Sequence, residues 1–524
     1  AVVRFARTTA TGDLAELAEV PENAPIRPLV TSTRENCLGA ECPRFDECFV
    51  YKARRAAQAA DVVVVNHHLF LADLALRDDA IREFLPAVDT VVLDEAHQLP
   101  KIAGDFFGTT WSLAQVVELA HDARAAGLAH AADGAPWVAL MQSTEQAARE
   151  LRLQLAQAGL APGARVALER IGRRAALAQA VDAIDASLAA LDAALSANQG
   201  RDAELDALAP RTAALRAQLA DWRDAFAARD ADPDSHDATI DETVRWIGVS
   251  AHGAQFNSTP LAPGEAFARV RAQQTQAWIL TSATLTVAQR FDAFIAETGL
   301  ADARTLRWDS PFEFARQALL YLPQPMPSPL APDFAERVAD CAWPVIVAAG
   351  GRAFVLCTTL RAVERVAERL RARMREAGAE LPLLVQGTTT RRALLDAFRR
   401  AGNAVLVGSV SFWEGIDVRG EALSLVVIDK LPFAPPDDPV VEAKIRRLRA
   451  LGRNPFVDYQ LPQAVTLLKQ GVGRLIRDET DRGVLMLLDD RLLTKPYGKT
   501  VLASLPPFAR TRSESEACGF FAGR

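Results

Sequence analysis

The sequence predicts an α/β protein: two units built on parallel sheets, the first interrupted by a helical insertion. Three observations lead there. Short β-branched runs end in polar residues at 61–68 (DVVVVNHH), 89–97 (DTVVLDEAH) and 277–285 (AWILTSATL), then at 351–359, 403–417, 423–433 and 483–490. Continuous apolar strands of this kind mark a parallel sheet covered on both faces. Between the second and third runs the apolar residues change to steps of three and four. Finally, the Pro-rich stretch YLPQPMPSPLAPDF at 321–334 reads as the linker between a unit ending near 320 and one spanning about 330–515.

The insertion is read over about 113–245. Leu177, Val181, Ile184, Leu188, Leu191 and Leu195 put one apolar stripe along a helix. Leu205, Leu208, Thr212, Leu215, Leu219, Trp222 and Phe226 repeat the pattern after the turn SANQGRD. The glycine in that turn folds the two helices into an antiparallel hairpin.

At 524 residues the chain is too long for one core. Half the residues are apolar and a quarter charged, an ordinary globular composition. Six cysteines make no disulfide framework and point to a reducing compartment. No apolar run reaches the ~18 residues that span a bilayer, and the start AVVRFARTTATGD has no signal-peptide core. A net charge of −7 argues against a surface coated in basic patches, but leaves room for a basic groove.

Ligands of open α/β sheets bind at the carboxyl ends of the strands. Those ends here carry Asp94, Glu95, Thr281, Ser282, Thr284, Thr358, Thr359, Glu414 and Asp417. Nucleotide hydrolysis needs a carboxylate to hold magnesium, here Asp94, and one to polarise the attacking water, here Glu95. Arg474 and Arg477 stand three apart in QGVGRLIRD, so on a helix they share a face suited to phosphoryl charge. Together these describe an ATPase at a cleft between two α/β units.

The ordered set DEAH, TSATL, GRAFVLCTT, SFWEGID and QGVGRLIR resembles the XPD-like superfamily-two helicases, and within them the DinG/YoaA-type branch. The resemblance covers nearly the whole chain. It implies two RecA-like P-loop NTPase motor domains, with an iron–sulfur insertion and an all-helical arch insertion in the first. It divides the chain into the remainder of a cluster domain (1–60), parts of motor domain 1 (61–112 and 246–320), the arch (113–245), motor domain 2 (330–515) and a tail (516–524). It also implies an ATP-dependent DNA helicase (a DEAH-box hydrolase) of 5′→3′ polarity in DNA repair or replication. Such an enzyme is a bacterial cytoplasmic monomer acting on single-stranded, forked or damaged DNA beside replication or repair proteins, with no membrane partner.

Carried over by position, Asp94, Glu95 and His97 match the magnesium and ATP-hydrolysis motif, and Thr281, Ser282 and Thr284 the motif coupling hydrolysis to movement. Glu414, Gly415, Asp417, Gln470, Arg474 and Arg477 match nucleotide-facing motifs, and Cys37, Cys42 and Cys48 match three of the four ligands of a 4Fe–4S cluster.

Two expected parts are missing. No G-x-x-x-x-G-K-[ST] phosphate loop occurs, and PYGKT at 496–500 is a decoy because Leu493 stands where the first glycine should be. No fourth cluster cysteine is evident: Cys341 and Cys357 read as core residues and Cys518 as part of a polar tail. His67 or His68 would complete a zinc site only in a less favoured reading. Both gaps fall upstream of TATGD in the family, so the expected cause is an N-terminal truncation of roughly one hundred residues. Such a fragment would be inactive alone, and the competing reading is an ATPase-dead nucleic-acid-binding scaffold. The basic clusters at 371–375, 391–400 and 444–453 read as ordinary helix surfaces one by one, and Trp413 as core.

Overall fold

A computed structural model describes residues 1–17, 19–20, 24, 26–31, 37–39, 42–76, 85–227, 242–251, 253–413 and 422–522. The chain forms two compact units. The first comprises residues 1–91, 98–279 and 436–447, the second 92–97, 280–435 and 448–524.

The strands, in chain order, are β1 (Thr90–Leu93), β2 (Thr109–Ser112), β3 (Arg165–Ala167), β4 (Thr243–Val249), β5 (Ala254–Pro260), β6 (Ala277–Leu280), β7 (Ala318–Tyr321), β8 (Ala353–Leu356), β9 (Leu383–Val385), β10 (Val405–Gly408), β11 (Leu425–Ile428), β12 (Gly483–Leu487) and β13 (Ala509–Thr511).

In the first unit, helices Leu113–His130, Trp137–Gln157, Arg174–Ala197 and Ala203–Ala227 share one core with an antiparallel sheet of order β2-β5-β4-β3. All thirteen residues of the two predicted stripes are buried there. Trp222 ties helices to sheet, its ring 5.2 Å from Phe256, which stacks on Trp111 at 3.9 Å. The insertion is thus not all-helical. β3 lies inside it and pairs with β4, with Val166 opposite Ile247. β3 is three residues long, too short to stand out as an apolar alternation. A second surprise is the segment 436–447, which packs in this unit: Val440 and Ala443 join Val244, Leu261 and Trp246, and Arg165 pairs with Asp438 at 3.0 Å.

The run at 61–68 is not a strand. Val62 and Val64 are 79% and 92% exposed, and His67 and His68 open the helix His67–Leu76, capped by Asn66, whose Oδ1 accepts the Leu69 N–H at 2.7 Å. A strand exists only where a neighbour supplies the ladder, and β-propensity alone does not supply it.

The second unit holds a seven-stranded parallel sheet of order β13-β7-β12-β11-β8-β10-β9. Its four central strands are buried at every position, as continuous apolar runs require. The residues read as a linker are the connection from β7 into the helix Phe334–Ala348. Leu322 and Met326 are buried within it, so the prolines shape a packed loop. The residues read as a tail carry the helix Glu514–Gly519, whose Ala517 is in the core, with Cys518 packed against it. Gly498 of the decoy begins a helix, and a Cβ there would lie 2.1 Å from the Leu492 carbonyl, so close packing explains this glycine.

Truncating Trp222 to Ala removes the ring that joins hairpin and sheet. We expect it to cost the first unit about 3–5 kcal/mol, seen as a lower midpoint in chemical denaturation followed by helical circular dichroism. An unchanged midpoint would contradict this packing.

Candidate functional site

β1 and β6 are adjacent. The bonds Ala277 N–H to Asp89 O and Thr281 N–H to Leu93 O, both 2.9 Å, advance together along the two strands, as in a parallel pair. Residues 94–97 and 281–284 therefore emerge side by side, locked by the Ala96 N–H to Thr281 O bond at 3.0 Å.

The turn after β1 puts Glu95 at φ 50°, a left-handed conformation that costs a non-glycine residue energy. Asp94 and Glu95 are exposed, whereas the His97 side chain is 8% exposed. His97 Nδ1 lies 2.8 Å from Ser282 Oγ and 3.2 Å from Glu95 Oε2. The Ser282 hydroxyl is 3.2 Å from the same Glu95 oxygen and 3.2 Å from Thr284 Oγ1, and it accepts the Thr284 N–H at 3.2 Å. On its other side His97 Nε2 meets Gln470 Nε2. The side-chain amide of Gln470 thus holds one edge of the ring, and Ser282 and Glu95 hold the other. The result is one hydrogen-bonded chain from Gln470 through His97 and Ser282 to Glu95. Every member lies in the second unit.

Three motifs distant in sequence thus converge. Thr281 joins through its backbone and Thr284 through its hydroxyl. Gln470 is 8% exposed, and among the described residues its buried Oε1 has no hydrogen-bond partner.

Arg474 and Arg477 do not share a helix face. The helix Leu461–Val472 ends before them, its close marked by the Gly473 N–H to Lys469 O bond at 2.9 Å. Beyond it Leu475 and Ile476 turn into the core, and Asp481 Oδ2 accepts the N–H groups of Arg477 and Asp478 at 2.8 and 2.9 Å, so burial and a carboxylate cap replace the helical ladder. Arg474 Nε donates to the Trp413 carbonyl at 2.6 Å. Trp413 is fully buried, and Gly471 lets its ring approach: a Cβ there would lie 2.9 Å from it. Glu414, Gly415 and Asp417 lie outside the described residues.

Cys37 is exposed, and Cys42 and Cys48 are partly buried. Backbone bonds from Cys42 N to Gly39 O and from Cys48 N to Phe45 O place these two on successive tight turns. The three sulfurs are not gathered into one ligand set. Among the described residues, the grouping with metal-ligand spacing is His130, Asp202 and Glu204. Some side chains of the basic clusters are ion-paired: Arg373 with Asp340 and Glu376, Arg399 with Asp396, and Arg446 with Glu169 and Glu442.

Two groups at the site had no sequence-level reading. Lys469, next to Gln470, is partly buried and donates to the Thr286 carbonyl at 3.1 Å. Burial, then the Arg307 cation, push its amine down to about 8. Asp429, one residue past β11, is 2% exposed, and burial pushes its carboxyl up to about 6 against the pull of its hydrogen bonds. Its signal was in the sequence: an acid directly after an apolar strand, as in VVLDE.

Residues 343–508 match the helicase C-terminal domain family. The chain is 40% identical to the ATP-dependent DNA helicase YoaA of Escherichia coli over 99% of its own length and 78% of that protein's. It is 34% identical to the ATP-dependent helicase DinG of Mycobacterium tuberculosis over 98% and 74%. Among solved structures, S. tokodaii Xpd4 covers 85% of this chain, with 81% of its own matched, at 13% identity and TM-score 0.53, a likeness of fold. The chain belongs to the YoaA/DinG family of ATP-dependent helicases.

The Lys469 shift has a sign that can be measured. An unfolded lysine titrates near ~10.4. Between about 8 and that value, the folded state has lost a proton that the unfolded state keeps. Stability therefore rises with pH across this window. We expect the melting temperature of the second unit to climb above pH ~8 in the wild type and to stay flat in Lys469→Met. Equal slopes would show that Lys469 is not the titrating group.

Proposed function

We propose that the protein is an ATP-dependent DNA helicase of DNA repair or replication. It translocates 5′→3′ on single-stranded DNA by hydrolysing ATP between two RecA-like domains, in the bacterial cytoplasm. The observation that carries the reading is the chain Gln470–His97–Ser282–Glu95. A carboxylate that activates water must be oriented, and its state must be communicated to the part that moves. Here one imidazole links the carboxylate to two other motifs.

In this reading Glu95 orients and polarises the attacking water. Asp94 holds magnesium, which neutralises charge on the β- and γ-phosphates when bound. The exposure of both carboxylates fits that role. His97 and Ser282 fix the Glu95 oxygen, and Gln470 holds the His97 ring in place. Thr281 and Thr284 anchor the coupling turn to β1 and to Ser282. Arg474 and Arg477, together with the motif residues Glu414, Gly415 and Asp417, stabilise charge on the transferring phosphoryl group.

The motor domains are assigned to 61–112 with 246–320 and to 330–515, the arch to 113–245, and a tail to 516–524. Residues 1–60 carry Cys37, Cys42 and Cys48 as ligands of a 4Fe–4S cluster. Their spacing in the sequence supports this. The DNA is single-stranded, forked or damaged, and the protein acts as a monomer with replication or repair proteins as partners. Among the described residues no helix is long and apolar enough to cross a membrane.

Glu95→Gln in the full-length protein is expected to lower DNA-stimulated ATP hydrolysis at least ~100-fold and to leave single-stranded DNA binding intact. Retained hydrolysis would refute the assignment. Anaerobically purified protein is expected to hold about four irons and four sulfides per chain, reduced in Cys42→Ser. Wild-type protein free of iron would remove the cluster from the reading.

A further inference from the structure

Asp429 is a buried carboxylate that the hydrolysis chemistry leaves unused. β11 and β8 are neighbours in register, Ile428 beside Leu356, so Asp429 and Thr358 meet where both strands end. Asp429 Oδ1 accepts the Lys430 N–H at 2.7 Å and the Thr358 N–H at 3.1 Å, and Oδ2 lies 3.2 Å from the same Thr358 nitrogen. The Thr358 hydroxyl donates to Oδ2 at 3.3 Å. Thr358 is half-buried and opens towards solvent through Thr359, which caps the exposed start of the 18-residue helix Leu360–Ala377. Nearby strand ends carry further uncharged donors: Gln386 Nε2 bonds to Ser411 Oγ at 3.0 Å, and Gln386 Oε1 accepts the Ser409 N–H at 2.6 Å.

A carboxylate only accepts hydrogen bonds. While Asp429 is ionised, the Thr358 O–H must point inward at it, leaving only lone pairs for a ligand. Once the carboxyl gains a proton, it can donate to Thr358 Oγ1. That hydroxyl is then free to turn outward and donate to a phosphate oxygen. The titratable groups facing Asp429 are Lys430 on its own strand end and Cys357 on the end of β8. Cys357 is fully buried, and burial followed by the Asp429 charge holds its thiol neutral, so it adds no charge near neutral pH. Asp489, at the end of β12, is engaged elsewhere, with Arg491 and the Leu431 N–H.

We propose that Asp429 is a positioning residue whose charge state sets the direction of the Thr358 hydroxyl, and through it the grip of this sheet edge on the phosphates of single-stranded DNA. The proposal rests on the helicase reading. Ionised Asp429 loosens the grip, as a motor that must release each phosphate requires, and protonated Asp429 tightens it. The folded carboxyl titrates at about 6, above an unfolded aspartate. Between those values the folded state holds the extra proton, so stability falls as pH rises through the window. The ionised form thus costs stability, and the change accompanies looser binding.

Asp429→Asn keeps the shape. Its Oδ1 accepts both N–H groups and its Nδ2 donates to Thr358 Oγ1, mimicking the protonated acid. The test is fluorescence anisotropy of a labelled oligothymidylate on the full-length protein at fixed salt. Wild type is expected to bind about tenfold tighter at pH ~5.5 than at pH ~7.5. Asp429→Asn is expected to bind as tightly at the higher pH as wild type does at the lower, and to melt at a higher temperature there. Thr358→Val should lose the acid-induced gain, and Thr358→Ser should restore it. Glu364→Gln, which removes an exposed charge from the same helix, should shift affinity equally at both pH values. An Asp429→Asn protein that keeps the wild-type pH dependence would overturn the proposal. Wild-type protein that binds no single-stranded DNA at either pH would instead overturn the helicase reading.

Discussion

The organisation of the second unit turns on one imidazole. His97 has two ring nitrogens, and each is committed: Nε2 to Gln470, Nδ1 to Ser282 and Glu95. A neutral imidazole must accept on one side if it donates on the other. The amide of Gln470 is therefore coupled through the ring to the hydroxyl and the carboxylate on its far side. Burial of His97 makes this strict, because water cannot supply a substitute partner. Glu95 sits in a left-handed turn that its own side chain does not favour, and the parallel pairing of β1 and β6 holds it there.

The same physics recurs along the seven-stranded sheet. Its central strands are apolar throughout, so polar groups collect at their ends, where backbone N–H groups leave the ladder. Asp429 and Asp489 occupy two such ends and accept N–H groups from Thr358, Lys430 and Leu431. Buried carboxylates are stable only with partners of this kind. The arrangement that satisfies the sheet also leaves hydroxyls and amides where a ligand would approach.

Much of this was legible in the residues. The two apolar stripes of the helical hairpin could be read because a 3.6-residue period repeats over six turns, and all thirteen stripe residues are buried. The meeting of DEAH with SAT was foreshadowed by both following apolar strands. Other features had no local signal. The Gln470–His97 bond joins residues 373 apart, and nothing in either segment names the other. Arg474 and Arg477 kept a helical spacing, yet the helix ends before them because Leu475 and Ile476 are drawn into the core. The run at 61–68 has strand composition, but its valines are exposed and the segment leads into a helix. The segment 436–447 packs with the first unit through Arg165, Arg170 and Trp246, partners that only the fold brings near.

The most direct test is a double-mutant cycle between His97→Ala and Gln470→Ala, read as DNA-stimulated ATP hydrolysis by the full-length protein. If the two side chains act through one hydrogen-bonded chain, the second substitution should add little to the first, giving a coupling of about 1 kcal/mol or more. Fully additive losses would mean that the residues act independently and that the imidazole does not link the carboxylate to the arginine-bearing segment.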